Sequence, residues 1–302
     1  MNKQELTSIV AEILSQLNGA EPMVKGSEYK PADAGPVRKD TGYTDGDFVP
    51  DVTQLDLRKL YLTENAENEE KFRKMKMKTP ARLGNGKAGA RYKTVTMLRF
   101  RADHAAAQDS VFSQVSEEFA PKNGLVPVQT ECESKDEYLT RPDKGRRFNA
   151  ENQRIIREAV KTKPTVLIVV GDGLSSAAIT ANAPDCLAAI KDGLKLRGVE
   201  MGTELFVRYC RVGAGDAIGD ITGCELVCML VGERPGLVTD KSMSAYITYK
   251  PYTGVSESAR TVVSNIHAEG TPAVEAGAYI AELIETILKK KVSGVGLHTE
   301  VV

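Results

Sequence analysis

The stretch VLIVVGDGLSS, at residues 166–176, decides the fold. Its opening run of aliphatic residues, from Val166 to Val170, is typical of a strand buried on both faces of a sheet. Gly171 and Gly173 then mark a turn, and a helix is predicted from about Ser175 to Arg197. Many proteins bind a dinucleotide at such a turn. The stretch therefore raises the question of whether this turn binds a nucleotide or has another role.

Further apolar runs of strand length follow along the chain. Helices are predicted between them at about 216–222 and at 272–290, where Pro272 suits a helix start and Thr271 is a plausible N-cap. Continuous apolar strands that alternate with helices predict a parallel sheet covered on both faces, a doubly wound α/β domain. The predicted strands are 165–172, 204–212, 224–236, 243–250 and 261–267, with a short strand also expected within 122–134.

The N-terminal segment differs in composition from the rest of the chain. Apolar residues recur at helical spacing from Leu6 to Leu17, which predicts an amphipathic helix. The residues after it are rich in proline and glycine, so they are predicted to be a flexible linker. A lone short helix is marginal in water, so a docking or targeting role is favoured over packing on its own domain or fraying. The predicted segments are 1–18 (helix), 19–50 (linker), 51–120 (helical region with a glycine-rich loop) and 121–302 (sheet domain).

A glycine-rich loop divides the helical region 51–120. The charged stretch 51–78 is predicted to be helical, and so is 97–115. Between them, residues 79–94 contain three glycines interleaved with cations. Backbone amides and cations in such a loop could hold an anion, but a plain surface loop explains it equally well, and no P-loop motif is present. These residues are Gly84, Gly86 and Gly89 with Arg82, Lys87 and Arg91.

Composition excludes several classes of protein. The formal net charge is only -1 and aromatic residues make up 6% without any tryptophan, which disfavours binding to nucleic acid or to an acidic membrane. No apolar run is long enough to span a membrane, and no signal peptide is recognisable. The 5 cysteines form no C-x-x-C motif, so we expect buried free thiols rather than disulfides or a zinc site. The sequence therefore predicts a soluble intracellular protein.

The glycine turn does not match the dinucleotide fingerprint. Ser176 stands where G-x-G-x-x-G requires its third glycine, and Asp185 and Asp192 lie in the following helix rather than where a ribose-binding acid belongs. Glycines also mark the strand ends at 211–213 and 232–236. A rim built from these ends suits a large, amide-rich ligand better than a nucleotide.

No catalytic residue is assigned from the sequence. The three histidines, His104, His267 and His298, fit structural or capping roles better than catalytic ones. A G-x-S-x-G nucleophile elbow is missing.

A set of motifs in a fixed order carries a resemblance to a known family. Together they resemble the small (light) subunit of ethanolamine ammonia-lyase over about 79–296, and VGERPGL followed by SMSAY and SNIH is the most specific part. The motifs are TPARLGNGKAGARYKT, LRFRADHAAAQD, YLTRPDKGRR, GDGLSS, FVRYCRV, GERPGL, SMSAYITY, SNIH and GTPAVEAGAYI.

The resemblance implies a Rossmann-like, doubly wound, mostly parallel sheet and a role as one subunit of a carbon–nitrogen lyase. Such an enzyme converts ethanolamine to acetaldehyde and ammonia by a radical mechanism. It binds adenosylcobalamin (coenzyme B12) between a large barrel subunit and the small subunit, in an assembly of six large and six small subunits. The chain alone is then expected to be inactive. The alternatives are a nucleotide-cofactor-binding oxidoreductase subunit and an RNA-binding or scaffold protein.

The resemblance also assigns cobalamin-binding residues. The contacts fall on Val212 in FVRYCRV, Glu233 in VGERPGL and Val262 in RTVVSNIH. A one-residue gap after SMSAY shifts the register at Val262, where relatives can carry cysteine. Glu233 suits an acceptor for the corrin amides or, alternatively, an ion pair with a neighbouring arginine such as Arg234. The further candidates on the same rim are Asp172, Arg208 and Arg211. No metal ligand is assigned.

The N-terminal helix has an implied role of its own. Bacteria that use ethanolamine often enclose this enzyme in a protein-shelled microcompartment. Short amphipathic helices on linkers are typical addressing peptides for such shells. The resemblance therefore implies a cytoplasmic protein within a bacterial microcompartment, attached through residues 1–18.

Overall fold

The computed structural model describes residues 51–160 and 163–298. The predicted amphipathic helix at 1–18 and the linker at 19–50 lie outside the described residues. Among the residues described, each helix is too short or too polar to cross a membrane.

Three α-helices, a 3₁₀ helix and a small hairpin form the first part of the described chain. Helix content in the charged stretch 51–78 is lower than predicted, because only a 3₁₀ turn and one short helix form there. Asn65, with φ of 53°, interrupts this stretch. The elements are a 3₁₀ helix (Val52–Gln54), α1 (Glu69–Lys76), β1 (Lys87–Ala88), β2 (Arg91–Tyr92), α2 (Thr94–Phe112) and α3 (Phe119–Lys122).

A six-stranded sheet forms the centre of the fold. The strand order is β3–β5–β4–β6–β7–β8. The strands are β3 (Val126–Gln129), β4 (Val166–Gly171), β5 (Leu205–Arg208), β6 (Leu226–Gly232), β7 (Met243–Tyr249) and β8 (Arg260–Ile266). The first four strands in this order are parallel, as predicted.

The last two strands, β7 and β8, depart from the parallel pattern. Strand β7 runs antiparallel to β6, and β8 runs antiparallel to β7. A parallel return needs a crossover of a dozen or more residues, usually with a helix. The connection 233–242 contains no helix and 250–259 contains only a 3₁₀ turn (Glu257–Ala259), so both strands turn straight back.

Helices cover both faces of the sheet. The remaining helices are α4 (Lys135–Thr140), α5 (Ala150–Ala159), α6 (Ser176–Leu196), α7 (Ala214–Thr222) and α8 (Ala273–Lys290), with 3₁₀ turns at Lys144–Arg146 and Gly294–His298. Helices α6 and α8 pack over Val166, Ile168 and Val170. Helices α5 and α7 pack over Leu167 and Val169 on the opposite face. Successive side chains of β4 therefore point alternately into two separate cores. Since both faces are buried, every residue of the strand is apolar.

The start of α8 differs from the prediction in one detail. Pro272, not Thr271, occupies the N-cap position, and no side chain caps the helix. Thr271 instead donates its N–H to the Asn265 carbonyl and accepts a hydrogen bond from His267. The residue predicted as a cap therefore closes the turn after β8.

The cysteines are all buried and free, as predicted. Burial raises the pKa of the Cys186 thiol to about 12. Burial likewise raises the pKa of Cys132 and Cys224. These thiols are packing residues rather than nucleophiles.

Candidate functional site

The glycine turn at the end of β4 is filled by protein. The Leu174 N–H donates to the Gly232 carbonyl at 3.1 Å, which joins the turn to the end of β6. Ser175 caps α6 by accepting from the Ala178 N–H at 3.0 Å. Its hydroxyl also lies 2.9 Å from the hydroxyl of Ser110, at the end of α2. The helix end that a pyrophosphate would approach is therefore covered.

Asp172 in this turn holds the end of α2 in place. Its carboxylate accepts from the Ser176 hydroxyl at 2.6 Å and from the Val115 N–H at 3.1 Å. Asp172 is only 1% exposed, and burial raises the pKa of its carboxyl group. Both oxygens are thus used inside the chain, and Asp172 is not available to a ligand on the rim. This arrangement argues against a nucleotide at the turn.

The two arginine candidates are also engaged by the protein. Arg208 donates to the Gln114 side chain at 3.2 Å. Arg211 donates to the Tyr138 carbonyl at 2.7 Å, and its guanidinium lies 4.2 Å from the centre of the Tyr138 ring. Both arginines therefore support the loops around β5 rather than facing an open rim.

The glycine-rich loop packs as a structural turn. Gly84 has a φ of +65°, and a Cβ atom there would lie 2.5 Å from the Tyr61 ring. Arg82 pairs with Asp103 at 2.7 Å and stacks over Phe100 at 4.8 Å. The glycines are thus explained by turn geometry and close packing, which favours the surface-loop interpretation over an anion site.

Glu233 lies directly after β6 and is partly buried. The Tyr246 hydroxyl donates to its Oε1 at 2.5 Å. The contact is charge-assisted, and burial together with Glu233 raises the pKa of Tyr246. The ion pairs found among the described residues do not join Glu233 to Arg234, so the alternative role considered for Glu233 is not formed here.

Val262 lies on the edge strand β8, directly opposite Tyr246 in the antiparallel ladder. Directly opposed residues point to the same face and have Cβ atoms about 5 Å apart. Val262 is 48% exposed, so much of this aliphatic side chain is open to solvent. Tyr246 therefore stands between two of the candidate residues, with its hydroxyl on Glu233 and its ring beside Val262.

Val212 follows β5 and stands just before Gly213, the N-cap of α7. Its carbonyl accepts from the Gly215 N–H at 3.0 Å, which fixes the first turn of the helix. In the same turn, Asp216 forms a buried ion pair with Arg260 of β8, with Nη1–Oδ1 and Nη2–Oδ2 distances of 2.7 Å. Contacts therefore run from the Val212 turn through this pair to β8, and on to Tyr246 and Glu233.

Tyr246, Asp216 and Arg260 were not identified from the sequence. Tyr246 lies within the motif SMSAYITY, and Asp216 begins a predicted helix, but neither pattern assigns a role to the residue. Their pairing depends on an antiparallel return of the chain that the sequence did not indicate.

An open groove of about 1120 Å³ begins at Glu233. The hydroxyl of Ser244, which is fully buried, and Nη1 of Arg82 have no hydrogen-bond partner among the described residues. Both residues line the groove, as do Ser264, Asn265 and His267. No cluster of three or more His, Cys, Asp or Glu side chains in residues 51–160 and 163–298 is arranged to hold a metal ion. The groove thus offers hydrogen-bonding groups without a resident metal site.

These features define an α/β domain with an open groove of hydrogen-bonding groups beside β7 and β8. A family model described as ethanolamine ammonia-lyase light chain (EutC) matches residues 69–298. The chain belongs to this ethanolamine ammonia-lyase light chain family.

Relatives named ethanolamine ammonia-lyase small subunit match almost the whole chain. The protein from Clostridium perfringens is 56% identical over 298 residues, covering 98% of this chain and 100% of the relative. The Clostridioides difficile protein is 54% identical with the same coverage. The Lachnoclostridium phytofermentans protein is 53% identical, covering 98% of this chain and 99% of the relative.

Proposed function

We propose that this chain is the small subunit of an adenosylcobalamin-dependent ethanolamine ammonia-lyase, and that Val212, Glu233 and Val262 face the corrin ring. Family membership supports the lyase role. The observation that carries the site is the set of contacts through Tyr246 and the Asp216–Arg260 pair, which links three residues far apart in sequence.

The residues present fit a corrin ligand. The corrin edge carries methyl groups and amide side chains, so it needs both apolar contacts and hydrogen-bond acceptors. Val262 is an exposed apolar side chain, and Glu233 Oε2 accepts no hydrogen bond from the described residues, so it is free to accept from an amide. When bound, adenosylcobalamin supplies the radical chemistry that ethanolamine deamination requires. This chain supplies orientation and shields one side of the site from water.

The proposed partner is the ethanolamine ammonia-lyase large subunit. A small subunit without an assigned acid–base group needs a partner that holds the substrate, so the chain alone is expected to be inactive. We propose the assembly of six large and six small subunits that the family resemblance implies. The covered turn at Asp172 and Ser175 argues against the alternative, a nucleotide-cofactor-binding oxidoreductase subunit.

The direct test of the site is Glu233→Ala in the assembled enzyme. Losing an acceptor that is held by Tyr246 is expected to weaken cobalamin binding about tenfold, since a hydrogen bond to a charged group contributes about 1.5 kcal/mol or more. The dissociation constant is measured by absorbance titration with cobalamin.

Glu225→Ala is the matched control. Glu225 accepts from the Tyr249 hydroxyl at 3.1 Å, so it repeats the same pairing at the opposite end of the β6–β7 ladder. It is expected to leave cobalamin affinity unchanged. Equal affinities for Glu233→Ala and the unmodified enzyme would remove Glu233 from the site.

The N-terminal segment is proposed to direct the enzyme into a bacterial microcompartment in the cytoplasm. Deleting residues 1–20 is expected to leave ethanolamine deamination intact while the enzyme is lost from purified microcompartments. The comparison is made by immunoblotting shells and cytosol. Undiminished encapsulation of the truncated chain would contradict the targeting role.

A further inference from the structure

The Asp216–Arg260 pair is a buried, bidentate contact between α7 and β8. Both residues are buried, at 6% and 7% exposure. The guanidinium is bidentate on Asp216, donates through Nε to Glu257 at 2.8 Å and lies 3.2 Å from the Thr248 hydroxyl. Partners on α7, β7 and the turn before β8 therefore fix its position and its plane.

The pair stands between two of the proposed cobalamin contacts. Asp216 is in the first turn of α7, one helical turn beyond Val212. Arg260 precedes Val262 by two residues on β8, so both side chains point to the same face of the sheet. In the ladder, Arg260 opposes Thr248 while Val262 opposes Tyr246. The pair thus joins the loop that carries Val212 to the strand that carries Val262.

A contribution to the stability of the fold does not by itself explain why a buried ion pair stands here. Taking both charges out of water offsets much of their attraction, and an apolar replacement of similar volume is often as stable. A bidentate arginine–carboxylate contact does supply direction, because two parallel hydrogen bonds fix both the distance and the orientation of the groups. Besides the ladder to β7, this pair joins β8 directly to α7.

We infer that Asp216 and Arg260 are positioning residues for the cobalamin surface, which hold Val212 and Val262 at the separation that the corrin ring requires. The inference rests on the proposed function. Neither residue needs to touch the cofactor, since both are buried while Val262 is exposed.

The test uses Asp216→Asn and Arg260→Lys in the enzyme assembled with the large subunit. Each variant removes the bidentate geometry while keeping the side-chain size close to the original. The KM for adenosylcobalamin is expected to rise about tenfold, with kcat at saturating cofactor changed less than twofold, because the cofactor, once bound, meets the same reacting groups. Absorbance titration with cyanocobalamin gives the binding constant independently of turnover.

The matched control is Arg197→Gln. Arg197 pairs with Glu285 at 3.1 Å and links α6 to α8 on the other face of the sheet. This variant is expected to lower the melting temperature without changing KM for the cofactor. If KM rises in every variant in proportion to the fall in melting temperature, Arg197→Gln included, then Asp216 and Arg260 act only on stability. That result would overturn the inference.

Two further outcomes separate this inference from the proposed function. If Glu233→Ala weakens cobalamin binding while Asp216→Asn and Arg260→Lys do not, the positioning role is wrong and the site stands. If none of the three changes binding in assembled enzyme, the proposed site itself fails and the inference with it. Should Asp216→Asn fail to assemble, Arg260→Lys decides, and Glu257→Gln provides a milder variant that removes only the exposed partner of Arg260. An unchanged KM in both of these variants would also overturn the inference.

Discussion

Replacing Gly232 with alanine is expected to lower the free energy of unfolding by about 3 kcal/mol or more, the upper end of the range for overpacked sites. Gly232 is the last residue of β6, where the strand passes directly beneath the glycine turn. A Cβ atom there would lie 2.9 Å from the Ser175 carbonyl carbon and closer still to its oxygen. Backbone atoms cannot move aside as a flexible side chain can. Denaturant unfolding followed by circular dichroism measures the loss.

Gly236→Ala is the control for Gly232→Ala. The nearest atom to a Cβ at Gly236 is the Thr239 carbonyl oxygen at 4.0 Å, an ordinary contact distance. Its stability should stay within about 0.5 kcal/mol of the unmodified chain, as surface substitutions usually do. Equal stabilities of the two variants would mean that the turn and β6 are not packed as closely as the structure has them.

Ile168→Ala is expected to cost about 3–4 kcal/mol of unfolding free energy, through lost burial and the cavity left behind. Ile168 lies in the middle of β4, between β5 and β6, and is fully buried beneath α6 and α8. Neighbouring strands on both sides restrict the collapse of the cavity. The measurement is again the denaturant midpoint, with the slope checked for two-state behaviour.

Leu196→Ala serves as the comparison for the core substitution. Leu196 is the last residue of α6 and is 86% exposed, so it buries little apolar surface. Its truncation should change stability by less than about 0.5 kcal/mol. A small effect of Ile168→Ala, similar to that of Leu196→Ala, would contradict the position of β4 at the centre of the sheet.

The central strand and its helix follow from the sequence because local patterns define them. The predicted strand 165–172 and helix 175–197 agree closely with β4 (Val166–Gly171) and α6 (Ser176–Leu196). A doubly buried strand needs an unbroken apolar run, and this helix has a capping serine at Ser175 and a glycine with positive φ at Gly198. These requirements are met within one short stretch of chain.

The direction of β7 and β8 did not follow from the sequence. An apolar run of strand length fits a parallel or an antiparallel pair equally well, so it does not indicate the direction of the strand. In the structure the connections 233–242 and 250–259 are short and contain no crossover α-helix, so both strands turn straight back, and the alternation along Arg260–Ile266 is that of an edge strand with one open face. The charged stretch 51–78 was predicted to be helical from its residue types. Most of it is not, because helix-forming residues without an apolar face gain little from packing.

The candidate site was only partly predictable. Motif resemblance alone proposed Val212, Glu233 and Val262, since no physical pattern in the sequence joins them. Tyr246 and the Asp216–Arg260 pair act through tertiary contacts between elements far apart in the chain. The covering of the Asp172 turn by residues 110–115 was likewise hidden, although the missing third glycine at Ser176 had indicated that no dinucleotide binds there.

We propose that this chain completes a cobalamin site that it cannot form alone. An absorbance titration of adenosylcobalamin tests it, with this chain alone, with an ethanolamine ammonia-lyase large subunit alone, and with both together. Tight binding, and a change in the cobalamin spectrum on adding ethanolamine, are predicted only for the mixture. Absence of binding in a mixture that gel filtration shows to be assembled, or full-strength binding by the large subunit alone, would contradict the claim.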